Sequence, residues 1–237
     1  MFDKIGKSQT LSQEIVASIE QAIRDKKFHA GDQLPTEKEL GEMFGVSRTA
    51  IREALQMLSA QGLITVQKGK GSFINDYSTA QVTKPMSLFL ELNFDTDFIF
   101  HVIRIRKMIE PEVARDAAKN RTSEDISIIK SIIAKMDSPD YNTVQQMAEL
   151  DKEFHLAIAR ASKNPIIPII VQPIFELMPK IKPIILSQVD VAKSDAGIYH
   201  HKIYDMIKKQ DSTGAFEMMT KHLQIAEEHV NILKKML

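Results

Sequence analysis

The feature that most constrains this chain is a pair of helix-start signals with a short turn between them. Thr36 and Glu39 form a Thr-x-x-Glu capping box, which starts a helix that continues to about Phe44. The tight turn Gly45-Val46-Ser47 follows, and Ser47 is suited to cap the next helix. The buried positions of that helix recur at spacings of four and three, at Ile51, Leu55 and Leu58. This arrangement predicts a helix-turn-helix motif.

The segments on either side of the motif complete a small mixed domain. Before it, apolar residues recur every four positions from Leu11 to Ile23, which predicts an amphipathic helix over about 11–27. After it, Leu63–Val66 and Ser72–Ile74 flank a glycine-containing turn, which predicts two short strands. The order of helix, helix, turn, helix and hairpin predicts a winged helix-turn-helix over residues 1–75.

The remainder of the chain is predicted to be helical. Residues 76–95 have weak periodicity and are interpreted as a linker. Helical patterns then cover 96–119, 123–137, 142–163, 191–209 and 213–235. Between them lies an apolar stretch at 165–187 that contains five of the nine prolines, so a kinked or split helix is expected there. The fold class is mainly α, with an all-α helical-bundle domain over 96–237.

Composition narrows the function classes. The 31 basic and 31 acidic side chains cancel, so any DNA binding must come from a few placed basic residues. The absence of cysteine excludes disulfides, thiolate zinc sites and cysteine nucleophiles. No secretory apolar region or membrane-spanning stretch is recognisable, which predicts a cytoplasmic protein.

The predicted second helix of the motif carries the candidate DNA-reading residues. The N-terminal residues of such a helix face base edges in the major groove, and here Arg48 and Arg52 share one face. Arginine contacts guanine or phosphate, while Ser47 and Thr49 are candidates for phosphate contacts. The hairpin tip, with Lys68 and Lys70 around Gly69, suits a wing laid against the backbone or into the minor groove. The alternative is that the two arginines are only solvated charge.

These residues also carry a resemblance to a known family. The runs Leu34–Leu40, Gly45–Leu55 and Gly62–Ile64 resemble the GntR family of winged-helix regulators over about 11–74. The resemblance implies double-stranded DNA as a partner, with contacts from Lys38, Arg48, Thr49, Arg52 and Gly69. Many members have arginine where this chain has Lys38. Lysine keeps the charge but lacks the planar fork, so a phosphate contact is expected there.

Four ionisable residues of the C-terminal half fall within apolar helical stripes. Asp151 and His155 lie one turn apart with Ala148 and Ile158, while His200 aligns with buried positions and His201 with polar ones. His222 occupies a similar stripe in the last helix. Together they could hold Zn, Ni, Mn or Fe as a divalent ion, or each could be a hydrogen-bonded core residue. His229 lies about 10 Å further along its helix and is left out.

A second resemblance bears on this choice. Residues Arg106–Pro111, Asp151–His155, Ala161–Asn164, His200, Asp211, Ala215 and His222 resemble the ligand-binding domain of the FadR subfamily of GntR regulators. The resemblance spans about 96–230 and implies that Asp151, His155, His200 and His222 hold a metal ion. It also implies small carboxylate effectors, and the metal set argues against a long-chain acyl-CoA. The family has helix where this chain has its proline-rich stretch.

Arg106 is a candidate effector ligand on independent grounds. It lies in the apolar stripe of Ile99, Val102 and Ile109, where a guanidinium is costly without an anion. That anion is either Glu110, one turn on, or a carboxylate effector held bidentately. Asn164, at the end of its predicted helix, is a weaker effector candidate and could serve only as a C-cap.

The sequence therefore predicts a non-enzymatic transcription regulator that acts as a homodimer on a pseudo-palindromic operator and responds to a small organic acid. The resemblance implies that it is a repressor which the acid releases from the operator. Two alternatives stay open at this point. The metal could be purely structural, or the C-terminal domain could be a metal-dependent enzyme with an accessory DNA-binding head.

Overall fold

The computed structural model describes residues 10–76, 79–95, 97–187 and 192–236. The chain separates into two compact units, Met1–Gln81 and Val82–Leu237. In the described part of the chain, no helix is both long enough and apolar enough to cross a membrane.

The N-terminal unit is a winged helix-turn-helix, as predicted. It contains α1 (Leu11–Arg24), α2 (Glu37–Phe44), α3 (Arg48–Ala60), β1 (Ile64–Gln67) and β2 (Gly71–Ile74). The strands are antiparallel, with Ile64 opposite Ile74 and Val66 opposite Ser72. Side chains from both helices and strands form one core, which includes Ile15, Ile19, Leu34, Leu40, Ile51, Leu58, Ile64 and Ile74.

Local signals in the sequence account for the helix starts. Thr36 caps α2 in a reciprocal capping box with Glu39. Gly45 ends α2 in the left-handed conformation, at φ 68°, which an L side chain rarely adopts. Ser47 then caps α3 by accepting a hydrogen bond from the backbone N–H of Ala50. The turn between the two helices is therefore fixed at its two ends, by Gly45 and Ser47.

The C-terminal unit is all-α among the residues that are described. Its helices are α4 (Thr79–Leu92, which begins just before the boundary), α5 (Phe98–Asn120), α6 (Ser123–Asp137), α7 (Val144–Ala161), α8 (Ile166–Phe175), α9 (Met178–Leu186), α10 (Ala192–Lys208) and α11 (Ser212–Met236). Helix α11 packs along α5 and against α10, while α7 packs against α5, α6, α8 and α9. Their shared core includes Ile103, Ile129, Phe154, Phe175 and Leu223.

Helix α4 occupies most of the segment that the sequence suggested as a linker. Its pattern is inverted: Thr83 and Ser87 are buried, whereas Leu88, Phe89 and Leu92 are exposed. A hydrophobic periodicity cannot reveal a helix whose inward face carries hydroxyl groups. The weak signal over 76–95 therefore reflects this inversion.

The proline-rich stretch is split, as its sequence predicted. Helix α8 ends at Phe175, Glu176 caps it, and α9 starts at Met178 with Pro179 in its first turn. Proline suits a first helical turn because the N–H it lacks would have no helical partner there. The split places Phe175 beside His155 of α7 and Met178 beside Arg106 of α5.

Candidate DNA-binding surface and metal centre

The N-terminal half of α3 presents an exposed polar face over a buried apolar one. Arg48, Thr49 and Arg52 are exposed, whereas Ile51 and Leu55 are buried. This is the division that the spacing predicted. The Ser47 hydroxyl accepts the capping hydrogen bond of α3, so its role in this structure is to define the start of that helix.

Two cationic side chains of the motif have acidic neighbours. Arg52 Nε donates to Glu37 Oε2 at 2.7 Å, which joins α3 to α2. Lys38 Nζ lies 3.9 Å from Glu42, one turn away on α2. Both cations remain largely exposed, so these pairs are weak and leave the side chains accessible.

The hairpin tip has the backbone expected of a wing. Gly69 has φ 77° and Gly71 has φ 113°, both in the region that favours glycine. Gln33 Nε2 donates to the Lys70 carbonyl at 2.8 Å, and a Cβ atom on Gly71 would lie 2.5 Å from that nitrogen. Lys68 and Lys70 are exposed on either side of Gly69. The tip is thus anchored while its cations stay free of the core.

In the C-terminal unit, three histidines converge from three helices. His155 of α7, His200 of α10 and His222 of α11 are all buried, and one ring nitrogen from each lies within 4.8 Å of the others. The ring centroids of His200 and His222 are 4.9 Å apart, and those of His155 and His222 are 5.3 Å apart. Sequence periodicity brought out all three, and the structure places them together.

Asp151 lies one turn before His155 on α7 and is buried as well. Its Oδ1 is 3.4 Å from His200 Nε2, so the fourth residue of the predicted set adjoins the cluster. The same oxygen forms an ion pair with Lys182 Nζ of α9. Lys182 was not among the residues that the sequence pointed to, and its only signal is a charge placed within an apolar, proline-rich stretch.

Arg106 of α5 completes the polar interior, and its side chain is 5% exposed. Its Nε lies 2.5 Å from Glu110 Oε1, its Nη2 lies 3.0 Å from His155 Nε2, and its Nη1 lies 3.2 Å from Met178 Sδ. Glu110 Oε2 in turn lies 2.5 Å from His155 Nδ1. Glu110, which sequence reasoning weighed as the alternative partner of Arg106, is thus in contact with both.

Burial and neighbouring charges set the protonation of this interior. Burial lowers the pKa values of His200 and His222 well below the usual range for histidine, which keeps both imidazoles neutral. Burial opposes ionisation of Asp151, yet Lys182, His155, His200 and Arg106 hold its pKa well below its usual range. Burial also opposes ionisation of Glu110. Arg106 and His155 outweigh this effect and lower the pKa of Glu110 to about 2.

The cluster fits a divalent metal ion on chemical grounds. Neutral imidazoles and an ionised carboxylate are the ligand forms that such an ion requires. His200 Nε2 is buried, and its 3.4 Å contact with Asp151 does not form a hydrogen bond, so a bound ion would give this nitrogen a partner. Glu110, facing His155 Nδ1, stands where a carboxylate commonly orients a metal-bound histidine. Asp151, His155, His200 and His222 are therefore the residues that would hold it.

Three other candidates lie apart from this cluster or at its edge. Asn164 is exposed, and its Oδ1 accepts a hydrogen bond from the N–H of Ile166 at 3.1 Å, so the structure does not bring it to the histidines. His201 is exposed and pairs with Asp137, as its polar stripe predicted. His229 is buried and lines a cavity of about 60 Å³ together with Arg106, Asp151, Lys182 and His222. It borders the site although it is outside the metal set.

A winged helix-turn-helix followed by an all-α domain with a buried polar pocket defines a DNA-binding transcription regulator. Comparison with known proteins identifies it further. Residues 11–74 match bacterial regulatory proteins of the gntR family, and residues 101–225 match the FCD domain. The chain belongs to the gntR family, in its FadR-like subfamily, which confirms both resemblances found in the sequence.

Individual relatives agree with this assignment. The chain is 32% identical to an uncharacterised HTH-type transcriptional regulator of Bacillus subtilis, YcbG, over 94% of this chain and 91% of that protein. It is 29% identical to an Escherichia coli protein provisionally named as the regulatory protein of an L-lactate dehydrogenase operon, over 90% and 83%. The structure named Streptococcus agalactiae GntR has the same fold, with a TM-score of 0.73 at 22% identity over 92% and 99%. The relatives are regulators and not enzymes, so the enzyme alternative is set aside.

Proposed function

We propose that this regulator is a homodimeric repressor whose affinity for a pseudo-palindromic operator is controlled by a small carboxylate at a divalent metal centre. The observation that carries the proposal is the convergence of His155, His200 and His222 with Asp151 and Arg106 in one buried interior. Two α3 helices, one from each subunit, would read two half-sites about one DNA turn apart.

The chemistry of the interior favours a carboxylate as the effector. A bound divalent ion would supply a Lewis-acidic centre with open positions for oxygen ligands. Arg106 would supply a planar fork that matches a carboxylate and fixes its orientation. The name of the lactate-operon relative, a regulator linked to a small hydroxy acid, is consistent with this choice.

Arg106 is not free to accept a ligand without rearrangement. It already faces Glu110 and His155 Nε2, and the latter atom is a candidate metal ligand. If His155 Nε2 held the ion, it would no longer be a partner for the guanidinium, and Arg106 would keep Glu110 as its partner. Arg106 would then orient the effector with its outer nitrogens, and Glu110 would hold the guanidinium in place.

Helix α4 offers a route from this pocket toward the DNA-binding unit. Its Ser87 hydroxyl hydrogen-bonds the carboxylate of Glu176, which links α8 and α9. On either side of Glu176, Phe175 stacks on His155 with centroids 5.4 Å apart and Met178 contacts Arg106. A change in the pocket that shifts the α8–α9 corner would therefore act directly on α4, whose first residues belong to the N-terminal unit. Allosteric coupling requires an element whose position both sites influence, and we assign that role to α4.

Mobility-shift assays on the DNA upstream of the protein's own gene, with the metal-loaded protein and a panel of organic acids, test the proposal. We expect specific binding that one or more small carboxylates weaken, and that acids do not affect once the metal has been chelated away. A full response to acids in the chelated protein would contradict the metal-centred part. A response only to neutral or long-chain compounds would contradict the carboxylate part.

A further inference from the structure

Lys182 is a charged residue of the polar interior that belongs neither to the metal set nor to the Arg106–Glu110 pair. Its side chain is only 18% exposed, and its ammonium pairs with Asp151, which is 4% exposed. Together Lys182 and Asp151 line two neighbouring cavities, of about 60 Å³ beside Arg106 and His222 and about 90 Å³ beside His200. Any ligand that fills either cavity must meet the lysine.

The charges of the interior balance only as long as no metal is bound. Arg106 and Lys182 offset Glu110 and Asp151, so these four side chains together carry no net charge. A divalent ion would raise this total to +2, and Asp151, as one of the residues that would hold the ion, would no longer neutralise Lys182 alone. A largely buried ammonium without its counter-ion is costly, so the loaded site requires an external anion near Lys182. One carboxylate leaves a net charge of +1, and two restore neutrality.

We propose that Lys182 is a second anion anchor of the effector site and selects ligands that carry two carboxylates over those that carry one. The inference rests on the proposed carboxylate-sensing function and names the ligand class. One carboxylate of the ligand faces the metal centre and Arg106, and the other pairs with Lys182. Since the Asp151–Lys182 pair holds the lysine when the site is empty of metal, selection operates only in the metal-loaded protein.

Calorimetric titration of the full-length, metal-loaded protein with malate and 2-hydroxybutyrate tests this inference. The two probes share the 2-hydroxycarboxylate and have similar size, but only malate carries a second carboxylate. We expect malate to bind the wild type about tenfold or more tightly, the scale of one charge-assisted hydrogen bond. Lys182→Met should bring the two affinities close together, and Lys182→Gln is a second variant that retains a polar side chain. Metal content, measured on every sample, should not fall in either variant.

Lys180→Met is the matched control, because Lys180 lies on the same helix, is 47% exposed and pairs with Glu91. It should preserve the preference for malate. Equal binding of the two probes to the wild type, or an unchanged preference in Lys182→Met, would overturn the role of Lys182 and leave carboxylate sensing intact. If neither acid, nor any other carboxylate, binds the loaded wild type, the proposed function itself fails, and this inference fails with it.

Discussion

Arg52 and Glu37 are joined by a 2.7 Å hydrogen bond that spans the turn of the helix-turn-helix motif. Glu37 opens α2 and Arg52 lies on the second turn of α3, so the bond joins the two helices of the motif. Because both side chains are exposed, the pair adds little stability. Its effect is to limit the rotamers of Arg52 before DNA is met.

Arg52→Ala should therefore weaken specific operator binding while leaving the fold unchanged. The loss of a base or phosphate contact is expected to cost about 1–3 kcal/mol per half-site. Mobility shifts at physiological salt measure the affinity, and circular dichroism checks the fold. Arg24→Ala removes a similarly exposed arginine from α1 and should bind normally. Wild-type affinity in the Arg52 variant would contradict the assignment of α3 as the reading helix.

The histidine cluster should bind about one divalent ion per subunit. His155→Ala and His222→Ala each remove one of few ligands, so each should strongly reduce metal content after mild purification. His201→Ala is the control, since this neighbour of His200 is exposed and pairs with Asp137. Elemental analysis of the purified proteins gives the result. Equal loss of metal in the His201 variant would show that the wrong histidine of the pair was chosen.

The fold could be predicted largely from local signals. The cap residues Thr36 and Ser47 and the stripes of α1 and α3 determine the N-terminal unit through contacts within a few residues. Helix α4 escaped prediction because Thr83 and Ser87 are buried where apolar residues are expected. The Ser87 hydroxyl hydrogen-bonds Glu176, which lies 89 residues away in the sequence, and no local pattern carries that information.

The candidate site, like the fold, was predictable where local periodicity carries the signal and not where a distant contact does. Periodicity separated His200 from His201 and brought out Asp151, since each lies on the inward stripe of a regular helix. Lys182 could not be found in this way, because its helix is short, proline-broken and apolar nearly all round. Its partner Asp151 is 31 residues away, and only the packing of α9 on α7 brings the two together.

Arg106 and Glu110 should show strong energetic coupling. Arg106→Met leaves the Glu110 carboxylate buried without its main cation, so we expect a loss of about 3–5 kcal/mol in unfolding free energy. In the double variant Arg106→Met/Glu110→Gln, which has no unpaired buried charge, much of that loss should be recovered. Denaturant unfolding of the wild type, Arg106→Met, Glu110→Gln and the double variant measures the coupling. Additive losses of unfolding free energy would contradict it. Carboxylate binding should be reduced in the double variant, and metal affinity should fall as well, because the Glu110 carboxylate no longer faces His155 Nδ1.

The last prediction concerns transmission from the pocket to α4. Ser87→Ala removes the hydroxyl that bonds Glu176, while Gln172 Nε2 still donates to that carboxylate at 2.9 Å, so no buried charge is left alone. If the α8–α9 corner acts on α4 through this bond, the variant should bind metal, effector and operator with affinities near those of the wild type. The change in operator affinity that the effector produces should shrink, because that change is the coupling free energy itself, typically about 1–3 kcal/mol. Mobility shifts with and without the acid that binds the wild type most tightly measure it. Ser127→Ala, which removes an exposed hydroxyl bonded within α6, is the control and should respond fully. A full effector response in Ser87→Ala would show that the signal leaves the pocket by another route.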